Sequence, residues 1–176
     1  LDVAGWVAGM GLLVPVVLGA MVLGTLMAYS RFDGFFMLSH SLATGLTWVF
    51  YLMTRIVADE RRVAVFIDHG VPALQARSYF LLERWLEWVQ AALNDNASND
   101  NYIFILEISF LVWWLTYLGA WTVFRHGYIW RGVVMAAVAL LVNTYYAPKP
   151  VTSFLVTFCI VALLLLAWTN LVTNRQ

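Results

Sequence analysis

Apolar residues run along this chain in long blocks, broken at intervals by short polar clusters. The blocks at 3–29, 35–56, 102–124, 129–146 and 151–172 hold at most one charged residue each. A membrane-crossing helix needs about 20 predominantly apolar residues, so the pattern predicts about five such helices. Between the second and third blocks the pattern changes. Across 73–93, Leu74, Leu81, Leu82, Trp85, Trp88, Val89 and Leu93 recur at spacings of three and four. Arg77, Glu83, Arg84, Glu87 and Gln90 fill most of the rest, which predicts an amphipathic helix. Trp85 and Trp88 lie at i and i+3, and indole is comfortable at headgroup depth. This helix is therefore expected at the membrane interface or packed over the end of the bundle. The expectation is an all-α, polytopic helical membrane domain occupying 1–176.

The punctuation refines this. Pro15 falls mid-way along the first block, where loss of a backbone donor is expected to kink the helix. Gly5 and Gly9, then Ala20, Gly24 and Ala28, form a stripe of small residues at four-residue spacing. Such a stripe lets another backbone approach closely. Packing within the bundle is its expected use, and a dimer interface is the sharper alternative. The polar run from Asn94 to Asn101 is expected to stop the amphipathic helix and cap the next one. Asp95 and Asp100 offer oxygens to Ca²⁺, but the run lacks the central Gly and closing Glu of an EF-hand loop. Glu83 and Glu87 are placed to pair with Arg84 and its neighbours on the wet side of the amphipathic helix. Tyr145 and Tyr146 read as an interfacial belt ahead of the rigid turn Ala147-Pro-Lys-Pro150.

Composition sharpens the class. The chain is 62% hydrophobic and 11% charged, against about 45–50% and about 25% in soluble domains. Ten acidic residues balance ten basic ones, all arginine except Lys149. Nucleic-acid binding would want a basic patch or stripe, so no nucleic-acid partner is expected. The expected partners are the lipid bilayer and other membrane helices or subunits of a complex. Cys159 sits inside an apolar block and reads as a small packing residue rather than a reactive thiol. The chain opens on Leu1 in apolar sequence, without the basic n-region of a signal peptide, and is expected to be part of a longer polypeptide.

Sidedness follows from where the cations fall. Counting Lys and Arg alone favours placing 57–101 inside, because that segment carries Arg61, Arg62, Arg77 and Arg84. A helix lying in the interface makes its arginines poor reporters of translocation. Arg31, Arg125, Arg131 and Arg175 instead concentrate in short segments beside helix ends. The long segment is therefore expected outside, with Arg125 and Arg131 as cytoplasmic anchors.

An ionisable residue within a membrane block is a functional candidate, because burying it unpaired is expensive. Glu107 and His40 qualify. They lie near opposite ends of their helices and are not expected to meet. Asn143 falls at the depth of Glu107, and the two are expected to form a polar clasp between adjacent helices. His40 is the candidate cofactor ligand, through imidazole on haem or a chlorophyll-type pigment. Two-helix haem ligation needs a second histidine at matching depth, whereas His69 and His126 fall in loops. Hydrogen-bonded glue between helices is the plainer role for His40, and no cofactor or metal is expected. The chain contains no His-Glu-x-x-His, Gly-x-Ser-x-Gly or Walker pattern, and no catalytic constellation is expected.

Three stretches carry a likeness: Ser98-Asn-Asp-Asn-Tyr-Ile-Phe-Ile, Trp113-Trp-Leu-Thr-Tyr-Leu-Gly-Ala-Trp-Thr-Val-Phe-Arg125 and Leu140-Leu-Val-Asn-Thr-Tyr-Tyr-Ala-Pro148. Together they resemble the N-terminal membrane region of bacterial transglutaminase-like membrane proteins. In that family several helices precede an extracytoplasmic papain-like domain with a Cys-His-Asp triad. The resemblance implies the bacterial cytoplasmic membrane, a helix before Leu1 and a catalytic domain beyond Gln176. Cys159, inside a span, does not match that family's nucleophile. The expected function is a non-catalytic membrane anchor or scaffold. The alternative is an accessory structural subunit of a larger respiratory or photosynthetic membrane complex.

Overall fold

Short polar signals set the helix boundaries. In the computed structural model, which describes residues 9–94, 100–146 and 152–173, seven α-helices follow one another: α1 (Leu13–Tyr29), α2 (Gly34–Ile56), α3 (Arg61–Asp68), α4 (Ala73–Leu93), α5 (Asn101–His126), α6 (Ile129–Tyr146) and α7 (Thr152–Thr173). The Asp33 carboxylate accepts the Phe36 N–H at 2.9 Å and opens α2. Asp100 does the same for α5, accepting from Tyr102 N–H at 2.9 Å and Ile103 N–H at 3.4 Å. These bonds satisfy donors that a helix start leaves without intrahelical partners. Gly127, at φ 70°, closes α5 in the left-handed conformation that glycine adopts without strain.

The expected amphipathic helix and the fourth block match α4 and α6 to the residue. Pro15 corrects the expected kink. A 3₁₀ turn at Met10–Leu12 precedes α1, so Pro15 sits in the first turn, where its missing N–H breaks no intrahelical bond. The helix α3 was hidden within the mixed-charge segment. Residues 3–8, 95–99 and 147–151 of the expected elements lie outside the described residues, as does the Tyr146 side chain.

Among the described residues the protein is entirely helical, with no strand. Three helical stretches are long and apolar enough to cross a membrane: Met10–Tyr29, Gly34–Asp59 and Asn101–His126. Ile129–Tyr145 and Thr152–Trp168 are shorter apolar stretches. Helices α1 and α5 run parallel, with α2 antiparallel to both: Gly9 approaches Ile105 and Ile56, while Gly24 approaches Tyr117 and Ala120. The α1–α5 pairing is the most extensive in the molecule. Helix α6 returns antiparallel along α5, bringing Gly132 against Val123 and Met135 near Gly119. Helix α7 packs chiefly on α6.

The stripe of small residues lies inside this bundle. Ala20, Gly24 and Ala28 are all buried in the monomer, as expected for intramolecular packing. A Cβ on Gly24 would stand 2.6 Å from the Tyr117 carbonyl oxygen and 3.1 Å from its Cα. A Cβ on Gly45 of α2 would stand 2.6 Å from the Trp113 indole. Glycine is required at both places by space. Gly24→Ala and Gly45→Ala should each destabilise the protein by about 1–3 kcal/mol through overpacking. Gly34→Ala, where a new Cβ meets nothing within 4 Å, should be close to neutral. Denaturation in mixed micelles checks the three variants, and equal stabilities would contradict the close approach.

Candidate functional site

Trp113 and Tyr117 on α5 form the centre of the bundle. Both are fully buried, one turn apart on one face, with rings stacked at 6.2 Å. The Trp113 indole N–H donates to the Ser41 carbonyl on α2 at 3.1 Å. His40 Nδ1 and the Tyr117 hydroxyl lie 2.8 Å apart and share a hydrogen bond whose direction follows the imidazole tautomer. The Trp48 indole N–H donates to the Pro15 carbonyl at 3.1 Å, tying α2 to α1. His40 thus joins two helices. Among the described residues no group of three or more His, Cys, Asp or Glu side chains is placed to hold a metal.

At the end of the bundle where α5 begins, α4 is fastened by charge and ring contacts. Arg84 Nε lies 2.9 Å from the Asp100 carboxylate, the group that caps α5. The same guanidinium lies over the Phe80 and Tyr102 rings, 5.7 and 5.8 Å from their centroids. The Tyr102 hydroxyl donates to Glu60, just before α3. Arg84 thus turns toward α5 instead of pairing with Glu83 or Glu87. Glu83 faces Arg62 at 3.8 Å across two exposed side chains, a contact worth at most tenths of a kcal/mol. Ala76, Phe80 and Leu81 bury one face of α4. Leu74, Leu82, Trp85, Leu86 and Leu93 point outward, 43% to 80% exposed. Trp88 is half-buried.

At the opposite end, Arg125 donates to the carbonyls of Ala28, at 3.2 Å, and Ser30. These carbonyls close α1, where a cation is favoured by the helix dipole. Arg131 lies over the Tyr128 ring at 4.4 Å and the Trp130 ring at 5.5 Å.

Two grooves flank α5. One, of about 440 Å³, lies between α2, α4 and α5 and is lined by Leu46, Val49, Phe50, Leu81, Leu82, Trp85, Leu106, Glu107 and Phe110. The other, of about 540 Å³, lies between α5 and α6 and is lined by Phe104, Ile108, Leu111, Val112, Leu115, Val134, Met135, Val138, Ala139, Val142 and Asn143. Glu107 lines the first groove and Asn143, its expected partner, lines the second. Glu107 and His40 stay apart as expected, since His40 meets α5 at Tyr117, ten residues beyond Glu107. Tyr145 is 81% exposed at the end of α6.

The bonds that organise the centre escaped the sequence. His40 and Tyr117 are 77 residues apart, and Trp113 and Ser41 are 72 apart. The local signals were a polar residue within an apolar block and a tyrosine far from either interface. Neither names its partner.

No protein family, characterised protein or solved structure matches the chain. The fold itself defines an all-helical protein, among its described residues, with three helices able by length and composition to cross a membrane.

Two variants test the polar joints. A double-mutant cycle of His40→Phe and Tyr117→Phe should give a coupling of about 0.6 to 1.7 kcal/mol, the range for hydrogen bonds between membrane helices. Additive effects would mean that the bond contributes nothing. Asp100→Ala should weaken the first turn of α5 by about 1 kcal/mol, whereas Asp100→Asn keeps a capping side chain. Amide exchange at Tyr102 and Ile103 reports this directly, faster in the alanine variant alone.

Proposed function

We propose that this chain is a non-catalytic membrane anchor and scaffold. The observation that carries the reading is how polar groups within and at the ends of its apolar helices are used. His40 is tied to Tyr117, the Trp113 indole to a backbone carbonyl, and Arg125 to the end of α1. His40, the one candidate ligand, is a joint between helices here.

In this reading the chain crosses the bilayer five times, through α1, α2, α5, α6 and α7. Helix α6 has 18 residues and α7 has 22, lengths of about 27 and about 33 Å at 1.5 Å per residue. Both suit a hydrocarbon core of about 30 Å. Helix α4 lies at the outer interface, its outward apolar arc in the acyl boundary. The membrane is the bacterial cytoplasmic membrane, with Arg125 and Arg131 on the cytoplasmic side. The resemblance to transglutaminase-like membrane proteins supplies the parent: a longer polypeptide in which a further crossing after Gln176 carries the papain-like domain to the outer side, where these helices hold it at the membrane.

The exposed apolar surface of α7 favours a second reading, an accessory subunit of a respiratory or photosynthetic complex. Leu163, Leu164 and Trp168 are 65% to 68% exposed on a helix that packs chiefly on α6. Lipid or a partner helix would cover them.

Intact mass of the native membrane protein separates the two. A mass near the 20.0 kDa of this chain supports the subunit, and a much larger one supports the anchor of a longer protein. A reporter active only outside the cytoplasm, fused after Gln176, should be silent. Activity there would reverse the orientation.

A further inference from the structure

The groove between α2, α4 and α5 contains a carboxyl in an otherwise apolar wall. Glu107 has no hydrogen-bond or ion-pair partner among the described residues, although it lies within a helix long enough to span a membrane. Arg84, on the helix that walls the groove, is engaged with Asp100. We propose that this groove binds a long-chain lipid with an uncharged, hydroxyl-bearing head, the hydroxyl donating its proton to Glu107 in a hydrogen bond.

Size allows a chain. The groove holds about 440 Å³, within the range of about 300–1,000 Å³ for sites that take one small ligand. Depth argues for the head. Glu107 is six residues beyond the start of α5, or about 9 Å at 1.5 Å per residue. A zwitterionic or charged headgroup would have to leave the interface to reach it. A lone hydroxyl sinks that far at much lower desolvation cost, and its cost is offset by the bond it makes.

Direction follows from the helices. Phe110 lies deeper than Glu107 along α5, and Leu46 lies deeper than Val49 along antiparallel α2. The chain of the lipid thus extends past Phe110 and Leu46, with Trp85 beside the head. The groove between α5 and α6 is larger but contains no carboxyl, so it offers lipid tails no comparable anchor.

This inference rests on α5 crossing the bilayer, and the test keeps the two ideas apart. The full chain is reconstituted in phosphatidylcholine vesicles containing hexadecanol with a mid-chain diazirine, or the methyl ether of that alcohol. After irradiation, labelled positions are mapped by mass spectrometry. The alcohol should label Phe110 or Leu46 about tenfold more than the ether does, the factor expected for one hydrogen bond in a low-dielectric site. Glu107→Leu should remove that preference while leaving labelling of the α5–α6 groove unchanged, which also reports that the bundle is intact. Leu46→Trp, which fills the deep end, should lower labelling by alcohol and ether alike. Equal labelling by the two probes, or a preference that survives Glu107→Leu, would overturn the site. Dimers cross-linked through the groove would overturn it in favour of a second copy. Vesicle-bound protein that resists alkaline carbonate but shows no preference loses the lipid site alone, whereas release by carbonate refutes the membrane reading itself.

Discussion

The close approach of three backbones around Trp113 and Tyr117 is the constraint on which the rest of the bundle depends. The indole occupies the space where Gly45 lacks a side chain, and the Tyr117 backbone occupies the space beside Gly24. In a bilayer, apolar burial gives little drive for helix association, because lipid tails are as apolar as leucine. Steric fit and interhelical hydrogen bonds decide instead. Both are present at the same level of α5. The ring that fills the Gly45 notch also bonds to Ser41, and the tyrosine one turn later meets His40. Register, spacing and the antiparallel course of α2 are fixed together.

The end of the bundle that receives α4 is built on a different principle. There the Asp100 carboxylate both caps α5 and meets Arg84, so the start of a long helix and the docking of a surface helix share one charge. Turning Arg84 inward rotates α4 so that its broad apolar arc faces away from the protein. For a water-exposed helix this orientation would be inverted. At a membrane interface it is favourable, since Arg84 and Glu83 find partners in the protein and the apolar arc meets acyl chains. The same rotation makes α4 a wall of the groove that holds Glu107.

Function and packing are hard to separate in such a molecule. Side chains that would be chemical candidates in isolation become fasteners once their partners are seen, His40 above all. Glu107 is the exception, an acidic group at membrane depth whose carboxyl meets none of the described residues. That asymmetry gives the groove its chemical interest, and the outward apolar surface of α7 gives the molecule a second face for lipid or another helix.

The sequence by itself determined the helices. Block lengths, three-and-four spacing, Asp33, Asp100 and Gly127 set where each begins and ends, because these signals act within a few residues. It also identified the small-residue stripe as a packing face. It misplaced the Pro15 kink by starting α1 too early, and it overlooked α3, whose charged residues gave no apolar block. Only the tertiary structure decided which residues meet. Glu107 and Asn143 were expected at one depth, yet they line separate grooves beside α5. Arg84 chose Asp100 over its own helical neighbours, and His40 found Tyr117 across 77 positions. Depth is written in residue number, but azimuth depends on how several helices settle against one another, and no single segment carries that information.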